Sequence, residues 1–338
     1  MSQTSNDHFS ETEIRPEELM SKEAELFEAD VRKLLTRRSE FVRVACPGCG
    51  QEERVYLFEK MGQSYDHCTA CETVFVNPRP TPELLEEYYT NSTYYTYWNS
   101  VIFPSSEAVR REKIFKPRAE RLVSIVEHYG LQVKRFLEVG AGFGTFCEEV
   151  GKLGLFENIV AIEPTPGLAE SCRNRGIEVI QKPIEFVDLK NHQVDVIACF
   201  EVIEHLFSPA DFIQQCERLL ASAGLLILTC PNIKGFDILM LQEISDSVDP
   251  EHLNYFHPES LSKLVERHGF KVLESQTPGR LDAELVRKKA LSGEYDLSPH
   301  PFLKRVLLDD WDQTGIAFQD FIAGNGYSSH MWIVAQKY

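Results

Sequence analysis

The stretch RFLEVGAGFGTF, residues 135–146, decides the fold. Phe136-Leu-Glu-Val139 is an apolar run short enough to be a buried strand, and Phe146–Leu153 opens a helix. Between them Gly140, Gly142 and Gly144 alternate with Ala141 and Phe143, so the backbone can turn tightly and a ligand can approach it without meeting Cβ atoms. The third glycine comes one residue too early for a dinucleotide G-x-G-x-x-G fingerprint, because position 145 is Thr. The next apolar run, Ile159-Val-Ala-Ile162, ends on Glu163 and Pro164. A carboxylate there, about twenty residues beyond the glycine turn, can accept both hydroxyls of a ribose.

Working outward, strand-like runs alternate with helical segments: 135–139, 158–162, 177–181, 194–200 and 224–230. That alternation predicts an α/β fold with a doubly wound, mostly parallel sheet. A further strand is expected over 270–275 and a last one over 329–336. Residues 276–327 form an insertion between them, with helical stretches around 281–291 and 303–321.

Upstream, Cys46-Pro-Gly-Cys49 and Cys68-Thr-Ala-Cys71 are separated by 18 residues. Paired CxxC knuckles at this spacing predict a four-thiolate zinc ribbon with ligands Cys46, Cys49, Cys68 and Cys71. A shell of four cysteines is closed, so the Zn2+ would be structural. The other five cysteines sit in apolar contexts and read as small core residues. Four regions are expected: 1–40, a disordered start (1–13) and a helix to about Arg38; 41–80, the ribbon; 81–134, an aromatic linker (Tyr88, Tyr89, Tyr94, Tyr95, Tyr97, Trp98) and a helical lead-in; and 135–338, the α/β domain.

With 338 residues the chain can bury a full core. Its net charge of −17 opposes phosphate backbones, which disfavours nucleic acid as a partner. Arg110, Arg111, Lys113, Lys116, Arg118 and Arg121 crowd one stretch, which reads as a solvated helix face. No apolar run approaches a membrane span, and the N-terminus lacks the apolar core of a secretory signal. An odd count of nine cysteines with two metal-type knuckles fits a reducing compartment, so a cytoplasmic location is expected.

The chain resembles the class I S-adenosylmethionine-dependent methyltransferases. Glu138–Gly144 matches that family's E/D-x-G-x-G-x-G motif and Glu163 its ribose-binding acid. Asp195–His205, DVIACFEVIEH, matches the fourth-strand motif of the branch that includes quinone O-methyltransferases. The resemblance covers roughly residues 107–275. It implies a Rossmann-like seven-stranded sheet of order 3-2-1-4-5-7-6 with an antiparallel last strand. It also implies S-adenosylmethionine as cofactor, held by Glu138, Gly140, Ala141, Gly142, Phe143, Gly144, Glu163, Pro164, Phe200 and Glu201, with an adenine contact over 183–185. Glu204 and His205, and His252 as a second base, become the candidate catalytic residues, since a histidine can take a proton from a hydroxyl or an acidic carbon. His252, Asn254, Tyr255 and His257 fall where the acceptor pocket is lined in this family. A four-cysteine module ahead of such a core is similar to sugar C-methyltransferases and methyltransferases of surface-polysaccharide synthesis. That likeness implies methylation, at oxygen or carbon, of a small polar acceptor, a sugar or nucleotide-linked sugar. An RNA methyltransferase with a zinc ribbon and a quinone-type O-methyltransferase are the alternatives, and a scaffold without turnover is a third.

Overall fold

The computed structural model describes residues 10–189 and 193–338. The disorder expected over 1–13 falls mostly outside the described residues; Glu11–Ile14, at its end, is a short helix closed by a Ser10 capping box. Eleven strands follow in the described chain: β1 (Arg54–Lys60), β2 (Gln63–Cys68), β3 (Val74–Val76), β4 (Arg135–Val139), β5 (Asn158–Ile162), β6 (Glu178–Ile180), β7 (Val194–Phe200), β8 (Leu220–Pro231), β9 (Asn254–Tyr255), β10 (Phe270–Gln276) and β11 (His330–Lys337).

Seven of them form the main sheet in the order β10-β11-β8-β7-β4-β5-β6. The pairs from β6 to β8 are parallel, and β11 runs antiparallel between β8 and β10. This is the doubly wound Rossmann-like topology with an antiparallel last strand that the family resemblance implied. The period of two along each strand divides the core. Leu137, Val139, Ile197, Cys199, Leu226 and Leu228 face one side, against Phe212, Ile213 and Leu264. Phe136, Val196, Ala198, Leu225 and Ile227 face the other, against Leu122, Phe146 and Val150. Strands covered on both faces need apolar side chains at every position, which is why β7 and β8 read as continuous apolar runs.

Leu122, Ile125 and Val126 of the helix Lys116–His128 lie in that second layer. The sequence boundary at 135 left this helix outside the α/β domain; its apolar stripe packs directly on the sheet. The basic stretch is not a solvated face either. The Arg118 guanidinium lies 4.4 Å over the ring of Phe200 and that of Arg121 4.1 Å over Trp332. Arg111 is bound to Glu148 and Glu149, and Arg110 donates to the carbonyl of Ile14 at 2.7 Å. Long cationic side chains lay their stems and flat heads on apolar and aromatic surface, and a count of charges does not register that.

The second sheet has the order β1-β2-β3-β9. β1, β2 and β3 belong to the cysteine module, while β9 comes from the segment after β8, joined through Val74–Tyr255 and Phe75–Asn254. Asn254 and Tyr255, in the segment that the resemblance assigned to the acceptor pocket, are therefore strand. The aromatic linker packs under the helix Glu17–Leu35: Phe27 meets Tyr94 at 5.1 Å, and Asp30 accepts from Ser92, Thr93 and the Tyr94 amide. Helices Asp282–Leu291 and Trp311–Gly324 of the insertion enclose their own apolar cluster with Leu241 and Phe236. The buried Asp282 carboxylate accepts from the hydroxyls of Ser328 and Ser329 at 2.7 and 2.8 Å, tying the insertion to the start of β11.

Where the chain leaves β8, Gly235 passes so close to Ser329 that a Cβ would sit 2.1 Å from its Cα. Gly235→Ala is expected to wedge this crossing apart and cost about 3 kcal/mol, read as a lower urea midpoint at unchanged slope. An unchanged midpoint would show that the crossing yields freely.

Candidate active site and metal centre

The glycine turn is built as its sequence demands. Gly140, Gly142 and Gly144 all have positive φ, at 73°, 55° and 77°, a region that side chains with a Cβ avoid. The amide of Gly140 donates to Ile162 at 2.9 Å, pinning the turn to the end of β5. Both oxygens of Glu163 are engaged by backbone: one accepts from Gly142 N at 2.8 Å, the other from Thr165 N at 2.9 Å, across Pro164. Burial raises the Glu163 carboxyl above its ordinary range, and these amides oppose the shift. Each carboxylate oxygen keeps a lone pair for a further donor. Gly144 caps the helix Thr145–Lys152, whose first turn lies beneath the loop.

Other residues assigned to the cofactor sit around this turn in different roles. Glu138 is buried beneath the loop, where its carboxylate accepts from the Cys147 thiol at 2.9 Å; burial pushes it up to about 8. Ala141 is buried, and the Phe143 ring stacks on Phe103 at 3.9 Å. Phe200, at the end of β7, lies between Phe146 and Trp332. Glu201 follows with φ 55°, a strained conformation for a glutamate. Its carboxylate accepts from the Thr229 hydroxyl at 2.6 Å and faces His330 at 3.3 Å. Burial pushes Glu201 up, but His330, Arg118 and Thr229 outweigh it and hold the carboxyl below its usual range. The segment expected to meet an adenine becomes a 3-10 turn, Ile184–Phe186, with Ile184 in the core.

The catalytic candidates converge. Glu204, His205 and His252 have ligand atoms within 4.8 Å of one another. The rings of His205 and His252 meet edge to face at 4.7 Å. The Glu204 carboxylate is fully buried with no hydrogen-bond partner on either oxygen, and His252 Nδ1 is likewise unpartnered. Burial, and then the charge of Glu201, raise the Glu204 carboxyl far above its ordinary value. Burial lowers His205 to about 3 and His252 to about 4, so both rings are neutral near pH 7.

Several groups here were not assigned to the site from sequence. Tyr89 OH lies 3.3 Å from His205 Nδ1. Glu251 accepts from the hydroxyls of Tyr88 and Tyr95 and is pushed by burial to about 8. Arg118 and His330 flank Glu201. The aromatic cluster and the E-H dipeptide at 251–252 were visible signals, but only the fold brings them together. His257 turns away, its Nε2 2.9 Å from the carbonyl of Cys71.

In the ribbon, Cys46 Sγ lies 3.5 Å from Cys71 Sγ and Cys49 Sγ 3.5 Å from Cys68 Sγ, with all four sulfurs within 4.8 Å. A tetrahedral zinc with bonds of about 2.3 Å sets sulfurs about 3.8 Å apart, so the donor set fits the ion. His67 is in β2, and the other five cysteines are buried free thiols.

A seven-stranded Rossmann-like sheet with a glycine turn after its first strand and an acid after its second defines the methyltransferase class. A family model described as Methyltransferase domain matches residues 107–275, half of the chain, and the chain belongs to that family. A Mycobacterium tuberculosis protein named "Probable S-adenosylmethionine-dependent methyltransferase" is 26% identical over 161 residues, covering 41% of this chain and 58% of that protein. The chain thus spans little over half the length of this relative. A ubiquinone biosynthesis O-methyltransferase from Colwellia psychrerythraea is 27% identical over 190 residues, covering 48% of this chain and 76% of the relative. Among solved structures, a SAM dependent methyltransferase from Archaeoglobus fulgidus superposes with a TM-score of 0.49 at 19% identity, over 70% of this chain and all of that one. Among the described residues no helix is long and apolar enough to cross a membrane.

Two outcomes are expected. Cys46→Ser should release bound zinc and unfold the knuckles, seen by metal analysis and a lower melting temperature; a well-folded wild type without zinc would refute the centre. The two histidines bind fewer protons folded than unfolded between their folded values, about 3 and 4, and the ordinary 6.5. Their contribution to stability is therefore complete above pH 6.5 and falls away as the pH drops toward 4. Ring-nitrogen NMR should show both still neutral at pH 5.5, and a ring titrating near 6.5 would contradict their burial.

Proposed function

We propose that this chain transfers the methyl group of S-adenosylmethionine to an oxygen or carbon of a small polar acceptor, a sugar or nucleotide-linked sugar. The observation that carries this reading is the neutral His205–His252 pair, set beside unpartnered Glu204 and next to the end of the strand that neighbours the glycine turn. Bound S-adenosylmethionine would supply an electrophilic methyl on a cationic sulfur. The chain's residues do the rest. Glu163 accepts the ribose hydroxyls with its free lone pairs, and the open backbone of Gly140–Gly144 lets the cofactor settle. Arg118, over Phe200, offers a carboxylate-binding guanidinium. Glu201, at the rim, places negative charge where a sulfonium would lie.

Proton removal falls to the histidines. If Tyr89 OH donates to His205 Nδ1, the ring's proton stays on Nε2, which makes His205 the donor and orients it. His252, with an unpartnered nitrogen, is then the base. An imidazolium formed on either ring would be stabilised by the nearby charge of Glu201, with Asp249 adding to this at His205. Such a lining of imidazoles, carboxyls and phenols suits a hydroxyl-rich acceptor. Four cysteines holding a structural Zn2+ complete the assembly.

Quinone-type O-methylation is the second reading, favoured by the Colwellia relative. RNA is opposed by the net charge of −17. The test is to incubate the protein with methyl-labelled S-adenosylmethionine and a cell extract, then separate aqueous and organic phases with and without RNase. Label in RNase-resistant, water-soluble molecules is expected, reduced about tenfold or more with Glu163→Ala. Label in the organic phase would establish the quinone reading, and label lost to RNase would establish RNA.

A further inference from the structure

Arg79 is the largest fully buried side chain of the described protein, with no exposed surface. Burying a guanidinium is costly unless its donors are met. Here each acceptor within reach is neutral. Nε donates to Val76 O at 3.1 Å, Nη2 to Leu253 O at 3.0 Å, and Nη1 to Phe207 O at 3.1 Å and Asn254 Oδ1 at 3.0 Å. Its backbone is held as well: Arg79 and Val42 exchange amide hydrogen bonds of 2.9 and 3.0 Å, four residues before Cys46. One residue thus reads the geometry of the cysteine module and touches both loops of the candidate site.

Asn254 continues the chain of contacts. It is buried, and its backbone pairs with Phe75 of the ribbon. With Oδ1 turned to Arg79, its amide nitrogen faces the carbonyls of Leu206 at 2.7 Å, Glu204 at 3.2 Å and Ile203 at 3.3 Å. Those carbonyls belong to the 3-10 turn Ile203–His205 and the residue after it. The turn's own amide bonds are few: His205 N to Val202 O at 3.0 Å and Leu206 N to Ile203 O at 3.4 Å. Beyond the relay, the core grips the knuckles directly. Arg267 donates to the carbonyls of Gly48 and Cys49, and His257 meets Cys71 O.

We propose that Arg79 and Asn254 are positioning residues through which the four-cysteine module sets the turn carrying Glu204 and His205. The ribbon is then a working part of the acceptor site and not an appended domain. Neither side chain needs to touch the acceptor. This rests on the reading of His205 as part of the methyl-transfer site, where a displacement near 1 Å can cost about a hundredfold in rate.

Asn254→Asp keeps the shape and the acceptor for Arg79 while removing the donor to the turn. The full-length zinc-loaded variant would be compared with wild type by ring-nitrogen NMR, S-adenosylhomocysteine affinity, zinc content and turnover. Displaced His205 and His252 ring signals are expected, with the rate of label transfer from methyl-labelled S-adenosylmethionine into water-soluble cell extract lowered tenfold or more, S-adenosylhomocysteine affinity within twofold and zinc retained. His300, in the insertion, is the internal control. Unmoved His205 signals in a folded Asn254→Asp protein would overturn the relay. Displaced signals with undiminished methyl transfer would leave the relay standing and remove His205 from the chemistry. Should Asn254→Asp fail to fold, Arg79→Lys takes its place: displaced His205 signals support the relay and unmoved ones overturn it. Chelating zinc from the wild type should also displace His205, and an unmoved ring there would overturn the link to the module.

Discussion

Two backbone pairings, Val74 with Tyr255 and Phe75 with Asn254, join everything that matters in this molecule. They add a strand from beyond β8 to the cysteine module's sheet, so the module and the α/β domain share one hydrogen-bonded surface. Tyr65, Val74, Val76 and Leu85 then bury against Ile233, Leu253 and Tyr255 in one apolar cluster. Around this joint lie Arg79, Asn254 and the segment that delivers Glu251 and His252. A ribbon linked only by a flexible tether could not hold side chains at fixed distances from the turn Ile203–His205.

The second organising constraint is electrostatic. Burial raises Glu138, Glu204 and Glu251 above the usual carboxyl range and lowers His205 and His252 below the usual imidazole range. Each shift disfavours the charged form, so these five buried groups favour neutrality in a chain with a large negative net charge. Glu201 is the exception: His330, Arg118 and Thr229 favour its charge, and it is the acid at the rim. Strain concentrates at the same place, since Glu201 is held at positive φ. Two carboxyls three positions apart, Glu201 and Glu204, are thus driven in opposite directions by their surroundings.

The parts of the fold that were legible in the sequence are those written in local pattern. Alternate glycines after the mostly apolar Phe136–Val139 specify a strand, a turn and a helix, because few other residues tolerate three left-handed positions in five. Paired CxxC knuckles specify a four-thiol centre because the spacing alone brings the sulfurs within reach. Continuous apolar runs in β7 and β8 announce strands covered on both faces. Other features had no local signature. β2, QSYDHC, is polar, and it is a strand because β1 and β3 flank it. Arg118 and Arg121 looked like solvated charge; they lie flat on Phe200 and Trp332, rings supplied by strands more than eighty residues downstream. Glu251 drew no attention in the sequence, and the structure places it between the hydroxyls of Tyr88 and Tyr95.

By itself, the sequence determined the sheet, the glycine turn with Glu163, the four sulfurs and the identity of His205 and His252 as residues to examine. The strands, the glycine turn and the sulfurs depend on spacing along the chain or on a short-range steric rule, while the sheet order and the two histidines followed from the resemblance to a known family. Only the tertiary structure decided that His205 and His252 stand edge to face, that Tyr89 and Glu204 join them, and that Arg79 bridges the ribbon to their loop. Those arrangements come from residues up to about 175 positions apart, Arg79 to Asn254 among them. Their contact depends on how two sheets pack and where a buried charge can find acceptors, a balance of burial and hydrogen bonding that no local pattern encodes.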